Sequence, residues 1–239
     1  MGRNKNISKY YQQQKLEQKK AEKKKRNRLI LTILAVTVLV AGLIGVLVWS
    51  LSDEDGDVQE KVYGDGKIDT SEAIKVAMDV KDYGKITLEL YPNEAPITVE
   101  NFVNYVEEGF YDGLIFHRVI ENFMIQGGDP TGTGYGDTSL EKIKGEFFYN
   151  GVGNDLLFER GVIGMARGDD PNSASSQFFI MHKRVDDLDG NYAAFGKVIS
   201  GMDVVDAIAT CEKTDVIDGS GNRYVPAEKV VIEKAYIVK

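Results

Sequence analysis

The sequence predicts a mainly β domain, an antiparallel barrel with two helices, preceded by one transmembrane helix. Three observations predict it. Short apolar runs recur with period two through the C-terminal part of the chain, two stretches there switch to helical period, and one long uncharged run stands near the N-terminus.

The elements follow in chain order. Residues 1–28 form a basic tail with eleven Lys/Arg and only Glu17 and Glu22 as acids, so the rest of the chain carries a net charge of −17 against −8 for the whole. Such a tail raises the question of nucleic acid, but its neighbour argues against that partner. Leu29 to Leu51 is 23 residues without a charge. At about 1.5 Å per residue a helix of this length spans a hydrocarbon core of roughly 30 Å. The Lys/Arg-rich end belongs in the cytoplasm, which puts everything after residue 51 outside. Trp49 falls where an interfacial anchor sits, and Lys23, Lys24 and Lys25 lie where anionic lipids attract them. A cleaved signal peptide is the competing reading. The apolar run is longer than a usual signal core and no A-x-A-like site follows it, so an uncleaved anchor in the cell membrane is expected.

Residues 52–72 are acidic and turn-rich and read as a tether. Asp53, Asp55 and Asp57 open like a calcium loop, but the sixth position is Val58 and the closing position Gly64. The domain expected over residues 73–239 begins with a hairpin: Ile74, Val76, Met78 and Val80 alternate, Asp82-Tyr83-Gly84 turns, and Ile86, Leu88 and Leu90 resume. Val99, Phe102, Val103 and Val106 then fall at helical spacing, with Gly109 placed to end the helix. Strand-like runs follow at 115–119, 123–127, 161–166, 177–181 and 193–199, then a short helix at Met202–Ala209 and a closing strand at Val230–Val238.

Two segments carry chemistry. FHRVIENFMIQGGD, Phe116 to Asp129, sets Arg118 among Phe116, Val119, Ile120, Phe123, Met124 and Ile125, with Gln126 eight residues on. GVIGMARGDDPNSASSQFFIMH, Gly161 to His182, adds small residues, a polar turn and the pair Phe178-Phe179. A cation fixed beside apolar side chains can hold an apolar ligand and act on its backbone amide. Taken singly, Phe123, Met124 and Phe179 read as core and Arg118 as a surface ion-pair partner; their joint order favours a groove.

With LDGNYAAFGKVISGMDVVDAI, these segments resemble the cyclophilin family of peptidyl-prolyl cis–trans isomerases over about residues 73–239. The resemblance implies an eight-stranded antiparallel barrel capped by two helices, packed inside, with its substrate groove on the outer wall. It implies Arg118 as the catalytic arginine and Gln126 as the glutamine that orients it and bonds the substrate backbone. Phe123, Met124 and Phe179 become the walls of a proline pocket with Leu188 at its rim, and Ala166 and Arg167 meet the residues before proline. Arg167 stands where many members have Asn, a change that a main-chain contact tolerates. Asp187 aligns with a Trp, and Tyr192 with a groove His, of many eukaryotic members. That Trp contacts cyclosporin in the family, so weak cyclosporin binding is expected here.

The implied activity needs no covalent step, metal or cofactor. His117 reads as a packed histidine, and with only His117, His182 and Cys211 a zinc site is not expected. Cys211 reads as a small packed residue. Ser173, Ser175 and Ser176 lack a G-x-S-x-G setting, and Gly132, Gly134 and Gly136 lack the Lys of a phosphate loop. The expected partners are proline-containing polypeptides folding outside the membrane and, through residues 29–51, the lipid bilayer. The rival is a non-catalytic proline-peptide-binding module or chaperone on the same scaffold.

Overall fold

The computed structural model describes residues 68–214 and 224–238, so the tail, the spanning segment and all but the end of the tether lie outside the described residues. Among the described residues no helix is long and apolar enough to cross a membrane. Eight strands are present among them: β1 (Ile74–Val80), β2 (Gly84–Leu90), β3 (Arg118–Ile120), β4 (Met124–Gly127), β5 (Val162–Met165), β6 (Phe178–Met181), β7 (Ala194–Ser200) and β8 (Ile232–Ile237). The α-helices among the described residues are α1 (Pro96–Glu107) and α2 (Met202–Thr210), and two 3-10 turns lie at Phe148–Asn150 and Asp186–Leu188.

The strands make one sheet in the order β3-β4-β6-β5-β7-β2-β1-β8, antiparallel at every junction. The first hairpin shows why the alternation specifies it. Its register sets Ile74 opposite Leu90, Val76 opposite Leu88 and Met78 opposite Ile86, so the apolar residues of both strands share one face. Asp82 turns the chain with a φ of 64°, a conformation that Asp tolerates better than most side chains.

The expected barrel is a curled sheet whose ends meet without a continuous ladder. Ile115 and Val231 form a single antiparallel bridge. Around it Phe116 N–H donates to Val230 O at 2.9 Å and Ile232 N–H to Leu114 O at 2.8 Å. This seam also explains a shifted boundary. The strand expected from residue 115 begins regular pairing only at Arg118, because the preceding residues spend their backbone groups on the C-terminal segment.

Phe102 of α1 sits at the centre of the main core, with ring centroids 5.1 Å from Tyr111, 5.5 Å from Phe178 and 5.1 Å from Phe195. Burying each such ring contributes about 1.5–3 kcal/mol. The Tyr111 hydroxyl donates to Ser176 O at 3.0 Å, and burial keeps it protonated by raising its pKa well above the ordinary value. Gly109 ends α1 in the left-handed region, as its position in the sequence implies.

The other end of α1 has no cap from its own neighbourhood. Ala95 precedes it, and the distant carboxylate of Glu146 accepts from Ile97 N–H at 3.1 Å and from Thr98 N–H and Oγ1, both at 2.7 Å. A buried anion thus satisfies the orphan donors of the helix and meets the positive end of its dipole.

Candidate active site

Strand alternation places the site on the outside of the sheet. In β6 the side chains of Phe178 and Ile180 enter the main core, whereas Phe179 and Met181 enter a second, smaller apolar cluster. In β4 Ile125 joins the main core and Met124 the smaller cluster. The FFIM run is buried throughout because both of its faces are covered.

That second cluster leaves a cavity of about 190 Å³. Phe179 and Met124 form its floor, almost wholly buried, and Phe123, Leu188 and Tyr192 rise around them. Phe158 stacks on Phe179 at 5.4 Å and 23°, and Tyr192 meets the same ring edge-on at 5.8 Å. Space for this stack comes from Gly164, paired with Phe179 across the β5–β6 ladder. A Cβ there would lie 2.5 Å from the Phe158 ring and 2.8 Å from that of Phe179.

The polar side of the cavity is built by the β3–β4 hairpin. Its turn uses Asn122 at a φ of 61°. The register sets Arg118 opposite Gln126, and the Arg118 guanidinium donates to Gln126 Oε1 at 3.1 Å. Gln126 Nε2 donates in turn to Gln177 Oε1 at 2.9 Å, and Gln177 Nε2 to Gly134 O at 3.3 Å. The glutamine amide is therefore oriented, with its oxygen toward the arginine. Beyond it the loop 129–136 is organised by the fully buried Asp129, whose carboxylate accepts from Thr131 N–H at 2.9 Å, Thr133 N–H at 3.0 Å and Gly134 N–H at 2.6 Å. Burial alone would raise the Asp129 pKa; the hydrogen bonds from Thr131, Gly134 and Gly136 outweigh it and hold the group below its usual range.

Ala166 and Arg167 close the remaining side. Ala166 N–H is bound to Gln177 O at 2.9 Å. The Arg167 guanidinium lies over Tyr192, 4.7 Å from the ring centroid, and 5.2 Å from that of Phe147. It donates to Asn191 O and Gly168 O, so here the arginine side chain braces the rim rather than pointing into solvent. A further cavity of about 360 Å³ adjoins and shares Gln126, Ala166 and Arg167.

All nine side chains singled out from the sequence thus line one hollow, joining a cation, an amide and an apolar floor. The family model for cyclophilin type peptidyl-prolyl cis-trans isomerases matches residues 75–237.

The chain belongs to the cyclophilin family.

A peptidyl-prolyl cis-trans isomerase of Streptomyces antibioticus is 46% identical over 165 residues, covering 65% of this chain and 93% of the relative. One from Acinetobacter baylyi is 49% identical over 131 residues, covering 53% of this chain and 67% of its own length. The crystal structure of a Cryptosporidium parvum cyclophilin superposes with a TM-score of 0.61 at 30% identity, covering 70% of this chain and 98% of that one. The same protein solved in the presence of the dipeptide Ala-Pro gives a TM-score of 0.60 and covers 69% and 99%. This cyclophilin is an enzyme of the peptidyl-prolyl cis-trans isomerase type.

Other sequence candidates lie apart from the reacting side of the cavity. His117 is buried, with neither ring nitrogen hydrogen-bonded among the described residues. Burial is the main cause of its lowered pKa, so the ring is neutral and packed. Cys211 is half-buried and burial pushes its thiol pKa up, away from nucleophile chemistry. Ser173 Oγ accepts from Gly168 N–H and Ser176 Oγ donates to Gly128 O, both as turn fasteners. Among the described residues no group of His, Cys, Asp or Glu is placed to hold a metal. Two residues of the site escape a sequence reading. Gln177 precedes the FFIM strand and Tyr224 lies 5.6 Å from the Arg118 guanidinium, measured to its ring centroid, yet 106 positions away in the chain.

Gly164→Ala is expected to displace the Phe179 ring. Overpacking of this kind costs about 1–3 kcal/mol, which a thermal melt reads, and a deformed floor should also lower the rate of prolyl isomerisation. A variant with wild-type melting and rate would show that the stack needs no gap at this position.

Proposed function

We propose that this cyclophilin accelerates prolyl isomerisation in polypeptides folding outside the membrane, with Arg118 stabilising the twisted X–Pro amide. The planar amide shares the nitrogen lone pair with its carbonyl, and rotation meets a barrier of about 18–20 kcal/mol. When the bond twists, the nitrogen becomes pyramidal and regains a lone pair that accepts a hydrogen bond. A guanidinium held at the edge of the proline pocket meets that lone pair only near the transition state. Such selective stabilisation lowers the barrier without tightening the ground state, and each 1.36 kcal/mol is about tenfold in rate.

The observation that carries this reading is the Arg118–Gln126 pair at the rim of an apolar hollow of proline size. Phe123, Met124 and Phe179 would receive the pyrrolidine ring, with Leu188 and Tyr192 at the rim. The backbone of Ala166 and Arg167 would run beside the residues before proline, within reach of Gln126. The Ala-Pro dipeptide used with the Cryptosporidium parvum cyclophilin supports a substrate of this class. Arg suits the task better than Lys because its planar fork is rigid and always charged. No proton changes owner, so the neutral His117 needs no part.

Arg118→Ala in the full-length chain is expected to lower kcat/KM on an Ala-Pro peptide by about 10²–10³-fold, with Arg118→Lys between the two. Exchange NMR on the cis and trans peptide signals measures this, and an Ala variant at the wild-type rate would sink the mechanism.

Cyclosporin binding is weak in this reading, because the exposed Asp187 and the half-buried Tyr192 stand where many eukaryotic members of the family have Trp and His. Titrating cyclosporin against wild type and Asp187→Trp checks it: the variant should be inhibited at clearly lower concentration, and identical curves would count against the assignment.

The uncharged run 29–51 and the eleven cations before it support a single-pass anchor with a cytoplasmic N-terminus. The acidic tether would then hold the catalytic domain just outside the membrane, near emerging chains. Protease added to intact cells should remove the domain and leave a membrane-bound stub; a domain fully protected until lysis would contradict the orientation.

A further inference from the structure

We infer that Tyr224 is a positioning residue for Arg118, holding the guanidinium from behind while standing outside the pocket. This rests on the catalytic reading of Arg118 given above. Two aromatic rings flank the guanidinium carbon, Phe123 at 5.9 Å and Tyr224 at 5.6 Å from their centroids. Phe123 lines the cavity, whereas Tyr224 does not. The two rings therefore have different duties. One lines the cavity beside the arginine, and the other meets the arginine without lining it.

The backbone shows how Tyr224 comes to be there. Residues 212–214 and 225–227 pair as a small hairpin stem, with Thr214 N–H donating to Val225 O and Ala227 N–H to Glu212 O, both at 2.8 Å. Lys213 and Pro226 complete it as an antiparallel bridge. Directly beyond the stem, Tyr224 O accepts from Val119 N–H at 2.8 Å, one residue after Arg118. The segment is thus docked on β3 through its main chain, and its side chain is left to lie against the guanidinium. Replacing that side chain leaves the docking bonds in place.

Arg carries a long side chain with considerable rotamer freedom. Gln126 fixes one of its nitrogens by a hydrogen bond. A ring against the guanidinium face restricts rotation of its plane, which a hydrogen bond in that plane does not do by itself. Cation–π contact adds attraction without competing for the N–H donors that a substrate needs. A tyrosine in this position therefore preorganises the cation, an effect that belongs to the chemical step and not to peptide capture.

The test uses the full-length protein and an Ala-Pro peptide, with kcat from exchange NMR and peptide affinity from titration. Tyr224→Ala and Tyr224→Leu are expected to lower kcat about tenfold while changing peptide affinity less than about twofold. Tyr224→Phe keeps the ring and should keep the wild-type rate. In an Arg118→Ala background, adding Tyr224→Ala should lower the residual rate no further. A Phe variant as slow as Ala, an Ala variant as fast as wild type, or an equal loss with and without Arg118 would each overturn the proposal. Loss of affinity in step with kcat would overturn it as well, since that marks a structural or substrate-contacting role. An Arg118→Ala variant at full rate sinks the catalytic reading itself, whereas a slow Arg118→Ala beside an unaffected Tyr224→Ala sinks only the role of the tyrosine.

Discussion

Strand β6 has to satisfy two apolar environments at once, and the site exists because of that demand. Phe178 and Ile180 fill the interior of the curled sheet, while Phe179 and Met181 need cover on the opposite face. The cover is incomplete. Phe158, Tyr192, Phe123 and Leu188 surround Phe179 but leave a hollow above it. A sheet with one wet face would have no such hollow, and a fully covered one would have no access to it.

Around that hollow the polar groups are held by one another. The chain from Arg118 through Gln126 and Gln177 to Gly134 O gives each amide a fixed direction, and the loop at its end is fastened by the buried Asp129 carboxylate. The bonds at its two ends, from the guanidinium and to the carboxylate, involve a charged group and are worth about 1.5–3 kcal/mol each. A rigid donor set costs little reorganisation when a reacting nitrogen arrives, as the mechanism proposed for Arg118 requires. Arg167 extends the same logic to the rim, with its guanidinium stacked on Tyr192 and bonded to Asn191 O.

Local pattern made much of this legible. The hairpin of β1 and β2, both helices and the positions of all eight strands follow from period and turn residues, because each is decided by neighbours in the chain. The lining of the cavity was legible through the family resemblance; the structure brings part of it together because Arg118, Phe123, Met124 and Gln126 lie on one hairpin, and Phe179 on the strand that pairs with it. What escaped was set by distant partners. The start of β3 depends on a seam with residues 230–232, the cap of α1 on Glu146, and the second ring beside Arg118 on Tyr224. The need for a glycine at 164 is likewise invisible until Phe158 and Phe179 are seen to stack across it.

The seam between residues 113–116 and 230–232 also fixes a sequence of events. β8 lies beside β1 at one edge, and the bridge between Ile115 and Val231 joins its approach to the hairpin that bears Arg118. The earliest and the latest parts of the domain are therefore neighbours, and closure of the long loops between them is slow compared with local pairing. Synthesis must therefore pass residue 232 before the curled sheet can shut.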